Sequence, residues 1–211
     1  MQLLIRTKQL TESAELAHRS LVQQQNMRLP HTRVLLKHLS VAAGLGSIAF
    51  DNVFTSALPD LVIMGMVHDD TFVGGYHQPS PFHFQHFNVN RVDMKVNGTQ
   101  RPSGGYTPNW ENGNYIKDYW TFLSELGYDT GDKCAQISPI EWEFGYTLFA
   151  FRLTPGPIGS GVAGPRTHAK SGNARLELSF AQPTPHNIKI VLMYQSPAVL
   201  EIDVFNNVVL T

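Results

Sequence analysis

Apolar and polar residues alternate with a period of two through several short stretches of this chain, and that period predicts strands. The clearest stretch runs from Val89 to Val96. Val89, Arg91, Asp93 and Lys95 face one way there, and Val92, Met94 and Val96 the other. Asn97-Gly98 follows at once. Both residues accept the positive φ of a type I′ turn, so a hairpin is expected. Ala174 to Phe180 sets Leu176, Leu178 and Phe180 against Arg175, Glu177 and Ser179. Asn187 to Tyr194 sets Ile188, Ile190 and Leu192 against Lys189, Val191 and Met193. Arg33 to Val41 alternates with both faces mixed, and Gly44 and Gly46 break it. Leu61 to Val67 is almost continuously apolar, as expected of a strand covered on both sides. Leu3 to Lys8 and Tyr146 to Leu153 complete the strand pattern, with Val199 to Asp203 and Val208 to Leu210 flanking a turn at Asn206-Asn207.

Helical spacing is rarer. Thr11 is placed to cap a helix from Glu12 to Gln25, with Glu12 and Glu15 at the positive end of its dipole. Ala14, Ala17, Leu21 and Val22 form a narrow apolar stripe on it, and Pro30 is expected to end that region. Asn109 to Gly113 reads as a turn. Tyr115 to Leu126 then reads as a second helix, with Ile116, Tyr119, Trp120 and Leu123 on one face and Gly127 as its stop. Leu58 to Phe87 passes from the apolar strand through an acidic turn at Asp69-Asp70 into an aromatic loop. Thr154 to Gly172, rich in Gly and Pro, reads as a long exposed loop. Many short strands with Gly, Pro and Asn punctuation predict an all-β fold: a jelly-roll sandwich with one or two short helices in the N-terminal region and in a central excursion. No internal repeat or compositional break divides the chain, so residues 1–211 are expected to form a single jelly-roll domain.

Composition narrows the function class. The 211 residues include 16 basic and 17 acidic side chains, a formal net charge of −1, with no cluster of cations. Counterion release on nucleic acid needs such a cluster, so direct nucleic-acid binding is not expected. Charged residues make up 16% of the chain, against about 25% for soluble domains in general. A weakly charged surface suits a protein that buries much of itself against partners. Cys134 is the only cysteine, which excludes an intramolecular disulfide and fits a reducing cytosolic or nuclear setting. Its expected role is that of a small, semi-buried side chain. No apolar run reaches the roughly 20 residues of a membrane span, and Met1 to Arg6 is too short and too soon charged for a signal peptide.

His77, His83 and His86 crowd one segment, with His68, Asp69 and Asp70 upstream. In a strand, His83 and His86 would point to opposite faces, and Gln78-Pro79-Ser80-Pro81 argues for an irregular loop. Polar or stacking roles are expected of these histidines in preference to metal ligation. Asp69-Asp70 could serve as a pair of bases, but adjacent carboxylates at a strand end more often bond nearby backbone N–H groups. Gly159-Ser160-Gly161 has neither the lysine nor the helix of a phosphate loop. Trp142, Tyr146, Phe149 and Phe151 are expected in the core rather than stacked on a sugar. No catalytic, cofactor-binding or metal-binding residue is assigned, and no enzymatic activity is expected.

A set of ordered segments carries a resemblance. These are Ala17-His18, Leu58-Pro59, Val67-His68-Asp69-Asp70-Thr71-Phe72 with Gly74 or Gly75, and Pro81-Phe82-His83-Phe84. Then come the run from Pro108 to Ile116, the run from Gly145 to Pro155, Arg175-Leu176-Glu177-Leu178, and Leu200-Glu201-Ile202-Asp203 with Asn207-Val208-Val209. In this order the chain resembles the double jelly-roll, hexon-like major capsid proteins of Polinton/Maverick elements and adintoviruses. Members are about twice as long, and this chain looks like their C-terminal half. The resemblance implies a structural protein of an icosahedral virion. Its protomers would self-associate as homotrimers, forming pseudo-hexagonal capsomers that meet neighbouring capsomers and penton or minor capsid proteins. Synthesis in the cytoplasm and assembly in the nucleus would go with that role. Phe72 to Phe87 and Thr154 to Gly172 are the expected contact loops. The alternatives are a capsid-derived jelly roll binding a carbohydrate or receptor, and a cupin-like metalloenzyme.

Overall fold

The structure is a computed structural model that describes residues 7–74, 80–129, 135–153, 171–203, 205 and 207–210. Among the described residues nine strands and four helices follow in the order α1 (Glu12–Gln24), β1 (Met27–Val41), β2 (Ser47–Ala57), β3 (Leu61–His68), α2 (Asp69–Val73), β4 (Val89–Val96), β5 (Thr99–Tyr106), α3 (Ile116–Leu126), α4 (Pro139–Glu143), β6 (Leu148–Arg152), β7 (Ser171–Phe180), β8 (Ile188–Ile202) and β9 (Val208–Leu210). One sheet runs β1-β8-β3-β6, with β9 added to β8, and the other runs β2-β7-β4-β5. The pairs β3–β6, β2–β7 and β4–β5 are antiparallel. Together with the β1–β8 neighbourhood they nest like the turns of one long rolled hairpin: first with eighth, second with seventh, third with sixth, fourth with fifth. That nesting is the topology of a jelly roll, and the all-β expectation holds.

The chain divides into two compact units, Arg33–Ser196 and Met1–Thr32 with Pro197–Thr211. The larger unit holds the roll. Its core collects inward residues from both sheets, among them Val62, Met64 and Met66 of β3, Val92 and Met94 of β4, Leu176 and Leu178 of β7, and Ile188, Ile190 and Leu192 of β8. The alternation expected for β4, β7 and β8 selects these residues. Burying one such aliphatic side chain is worth roughly 1.5–3 kcal/mol. The Asn97-Gly98 turn forms as expected, with φ of 49° and 80°. It is tied to β7 by a hydrogen bond from the Asn173 N–H to Asn97 Oδ1 at 2.9 Å.

The smaller unit holds α1, the outer ends of β1 and β8, and β9. Arg28 and Glu201 pair there at 2.6 Å. Asp203 Oδ1 accepts the N–H groups of Phe205 and Asn207, closing the turn into β9.

Several expectations need correction. Pro30 does not end a region but lies inside β1. It is tolerated because β1 is the outermost strand of its sheet, where a missing N–H costs no ladder bond. α1 forms, yet the Thr11 side chain makes no capping bond, and Leu21 of the apolar stripe is exposed. α3 ends at Gly127 in the left-handed conformation as expected. It is rotated only in part: Tyr119 and Leu123 of the expected face pack against the core beside the buried Asp118 and Phe122, while Ile116 and Trp120 are uncovered. The rotation follows from Asp118, whose carboxylate accepts the Thr107 N–H at 2.7 Å. The separate strands expected at Asn187 to Tyr194 and Val199 to Asp203 are one strand, β8 (Ile188–Ile202), which passes through Pro197. The acidic turn after β3 is the short helix α2. Of the expected first strand Leu3 to Lys8, residues 3–6 lie outside the described residues. So do Gly75, His77, Cys134, residues 154–170 of the long loop, and Asn206.

Candidate functional site

Aromatic residues of the excursion between β5 and β6 pack in a continuous stack. Trp142, fully buried, lies at its centre, 5.3 Å from Trp110, 6.0 Å from Tyr115 and 5.7 Å from Phe149, centroid to centroid. Each indole satisfies its N–H: Trp142 Nε1 donates to the Leu148 carbonyl, and Trp110 Nε1 to the Val89 carbonyl. Tyr106 donates its buried hydroxyl to the Ala150 carbonyl at 2.6 Å. Burial raises that phenol well above its ordinary pKa. The core role expected for Trp142, Phe149 and Phe151 is what the structure shows. Tyr146 differs, being half uncovered.

His86 closes the outer end of this stack. Its ring lies 4.3 Å from Trp110 and nearly parallel to it, at 21°. Its Nδ1 accepts the Asn88 N–H at 3.0 Å. The Val89 N–H returns to the His86 carbonyl, and between them Phe87 and Asn88 have φ of 45° and 52°. Two successive non-glycine residues in the left-handed region cost on the order of 1–3 kcal/mol each, so the surroundings must hold this turn. Burial lowers the His86 pKa, with Glu143 opposing.

An open cleft of about 440 Å³ lies beside the turn. His83, His86 and Phe87 form one wall, Glu143 and Phe144 from the end of α4 another, and Gln182 and Pro183 a third. The Glu143 carboxylate accepts the Tyr115 hydroxyl at 2.8 Å. α4 is set by a capping box: the Ser138 hydroxyl accepts the Glu141 N–H, and the Glu141 carboxylate accepts the Ser138 N–H. Gly145, at φ 110°, lets the His83 ring press against its backbone, where a Cβ would stand 2.6 Å from the ring.

The structure brings His83 and His86 to one cleft, because residues 80–88 are an irregular loop and not a strand. His68 goes elsewhere, edge-on to Phe87 at 4.9 Å and 5.3 Å from His186. Among the described residues no group of three or more His, Cys, Asp and Glu could hold a metal ion. Asp69 opens α2 and pairs with Lys189 at 3.1 Å, in place of the expected backbone bonds. The two phenylalanines expected at contacts part company. Phe82 is 72% exposed, whereas Phe84 is docked over Gly65 and held by backbone bonds to Gly145 and Thr147. Further large apolar side chains stand uncovered on the same excursion: Ile116 and Trp120 on α3, Ile140 of α4, and Phe144 just after it. Sequence reading missed α4 and with it Glu143, although Ser138-Pro139-Ile140-Glu141 carries the capping-box and N1-proline signals.

No family model matches the sequence, and no curated protein matches it. Solved structures do. The chain is 10% identical to PBCV-1 VP54, solved as a crystal structure fitted into a reconstruction of the virophage Sputnik; the match covers 88% of this chain and 51% of that one, with a TM-score of 0.49. A quasi-atomic model of the PBCV-1 virus capsid gives 11% identity, 89% and 52% coverage and 0.47. The mavirus major capsid protein gives 12% identity, 88% and 41% coverage and 0.40. The chain spans about half the length of these proteins or less. It is the strand order, independent of these likenesses, that identifies the fold.

Proposed function

We propose that this chain is a structural capsid protein, without catalysis, whose copies abut around a closed ring to form the capsomers of an icosahedral shell. The observation that carries the reading is a rolled hairpin with large apolar side chains left uncovered on the loop before β4 (Phe82) and on the β5–β6 excursion (Ile116, Trp120, Ile140 and Phe144), which we take as one flank. Large apolar side chains of this kind mark contact surfaces when they gather. A jelly roll by itself hosts many functions, so the argument needs the flank as well as the fold. The ordered segments that resemble Polinton/Maverick and adintovirus capsid proteins give further support. They include α1, the β3–α2 junction, the loop of Phe82 and His83, the turn before α3, β6, the middle of β7 and the end of β8.

The finer parts belong to the same proposal. Residues 1–211 are one jelly-roll domain. The assembly is a homotrimer with a pseudo-hexagonal outline, in which different patches of each copy meet around the ring. It resides in the virion after synthesis in the cytoplasm and assembly in the nucleus, and it also meets penton or minor capsid proteins. The test is a charged substitution on the flank. Trp120→Asp and Phe82→Asp leave the fold intact, as read by circular dichroism, and abolish rings seen by negative-stain electron microscopy of the parent protein. Rings that persist in both variants overturn the assignment of this flank.

A further inference from the structure

We infer that the cleft between the His86 turn and the end of α4 is a receptor for a single cationic side chain, an arginine presented by another polypeptide. The charge balance points that way. Glu143 is the one formally charged side chain of either sign, counting histidine as neutral, among the described residues lining the cleft. Its carboxylate is positioned by the Tyr115 hydroxyl at 2.8 Å, which leaves a second oxygen for an incoming donor. Burial favours the neutral form of the neighbouring His86, so that ring brings no competing cation at neutral pH. The remaining walls suit a flat guanidinium. Phe144 stands 69% exposed beside Glu143, and Pro183 and Pro185 offer apolar rims for the aliphatic stem. A guanidinium can stack on an aromatic face while it pairs with a carboxylate, which an ammonium does less well. The left-handed turn at Phe87 and Asn88 is built into the same wall, as strained backbone often is at binding surfaces. This inference does not rest on the capsid reading, and it fits an enzyme or a binding module equally well.

Nitrogen-15 NMR of the whole protein tests it with acetyl-arginine amide as the probe. The expected result is saturable movement of the Trp110 indole and Asn88 amide signals. The isosteric but neutral acetyl-citrulline amide should produce none, and acetyl-lysine amide should bind more weakly. Glu143→Gln keeps an acceptor for Tyr115 and should weaken arginine binding at least about tenfold, the loss of a charge-assisted bond. Phe144→Ala should weaken it about threefold, the size of an exposed cation–π contact. Both residues are partly or largely uncovered, so the variants should keep the parent spectrum elsewhere. Equal binding of the citrulline compound, saturable binding of glucose at the same signals, unchanged affinity in Glu143→Gln, or no saturable shift at all would each overturn the inference.

Discussion

Burial lowers the His86 pKa, and Glu143 opposes it. The sign of the consequence follows from linkage. A histidine that is harder to protonate in the fold than in the unfolded chain adds stability above about pH 6.5, its unfolded value, and that stability is lost as the pH falls below it. Geometry agrees, because a protonated Nδ1 can no longer accept the Asn88 N–H. Asp118 and Glu125 act in the opposite sense, since burial raises both. Their cost to the fold is relieved as the pH falls through their raised pKa values, and is fully relieved below about pH 4, their unfolded range. Thermal unfolding between pH 7.5 and 5.5 should therefore show a fall in Tm for the parent protein. His86→Phe, which keeps the ring stack, should flatten that fall. Parallel curves would show that another group is responsible. A second residue-scale expectation concerns Gly105, at φ 64° with no room for a Cβ beside the buried Asp93 carboxylate. Gly105→Ala should cost on the order of 1–3 kcal/mol by urea denaturation, from strained backbone and from pushing Asp93 off its Arg91 and Gln100 partners. A cost below half a kcal/mol would contradict it.

Elements were legible where one short-range signal dominated. The period of two found β4, β7 and the inner half of β8, and the Asn97-Gly98 pair found their hairpin neighbour β5. β2 escaped notice for a physical reason. Its pairing to β7 slips between Phe50 and Phe54, and Asn52 there has a φ of 56°. The bulge breaks the alternation, and Asp51-Asn52 reads as a turn in sequence. Pro30 misled for a related reason: proline ends a segment in the interior of a helix or a central strand, but an edge strand can carry it where no ladder bond is needed. The face of α3 was misjudged because Trp120 outranks Asp118 on any hydrophobicity scale, while a hydrogen bond to Thr107 decides which is buried. The cleft itself was beyond sequence reading, since its walls come from three separate segments. α4, however, could have been found from Ser138 and Glu141. Ser138→Ala removes one half of the capping box and should lower stability by about 1 kcal/mol. Because α4 carries Glu143, the same variant should also weaken arginine binding. A stability loss with undiminished binding would mean that the cap does not position the cleft.

At the scale of the whole molecule, a rolled hairpin buries its interior between two sheets and leaves large apolar side chains such as Phe82 and Trp120 uncovered. Phe84 and Phe82 separate these two roles within three residues. Phe84→Asp should unfold the loop over Gly65, because a charge would replace a docked ring. Phe82→Asp should leave the monomer folded and act only on association. If these uncovered side chains meet copies of the same chain, the solution mass from sedimentation equilibrium across a hundredfold range of concentration will show it. A species of three times the chain mass that persists on dilution is expected. A single species of one chain mass at the highest concentration would contradict it.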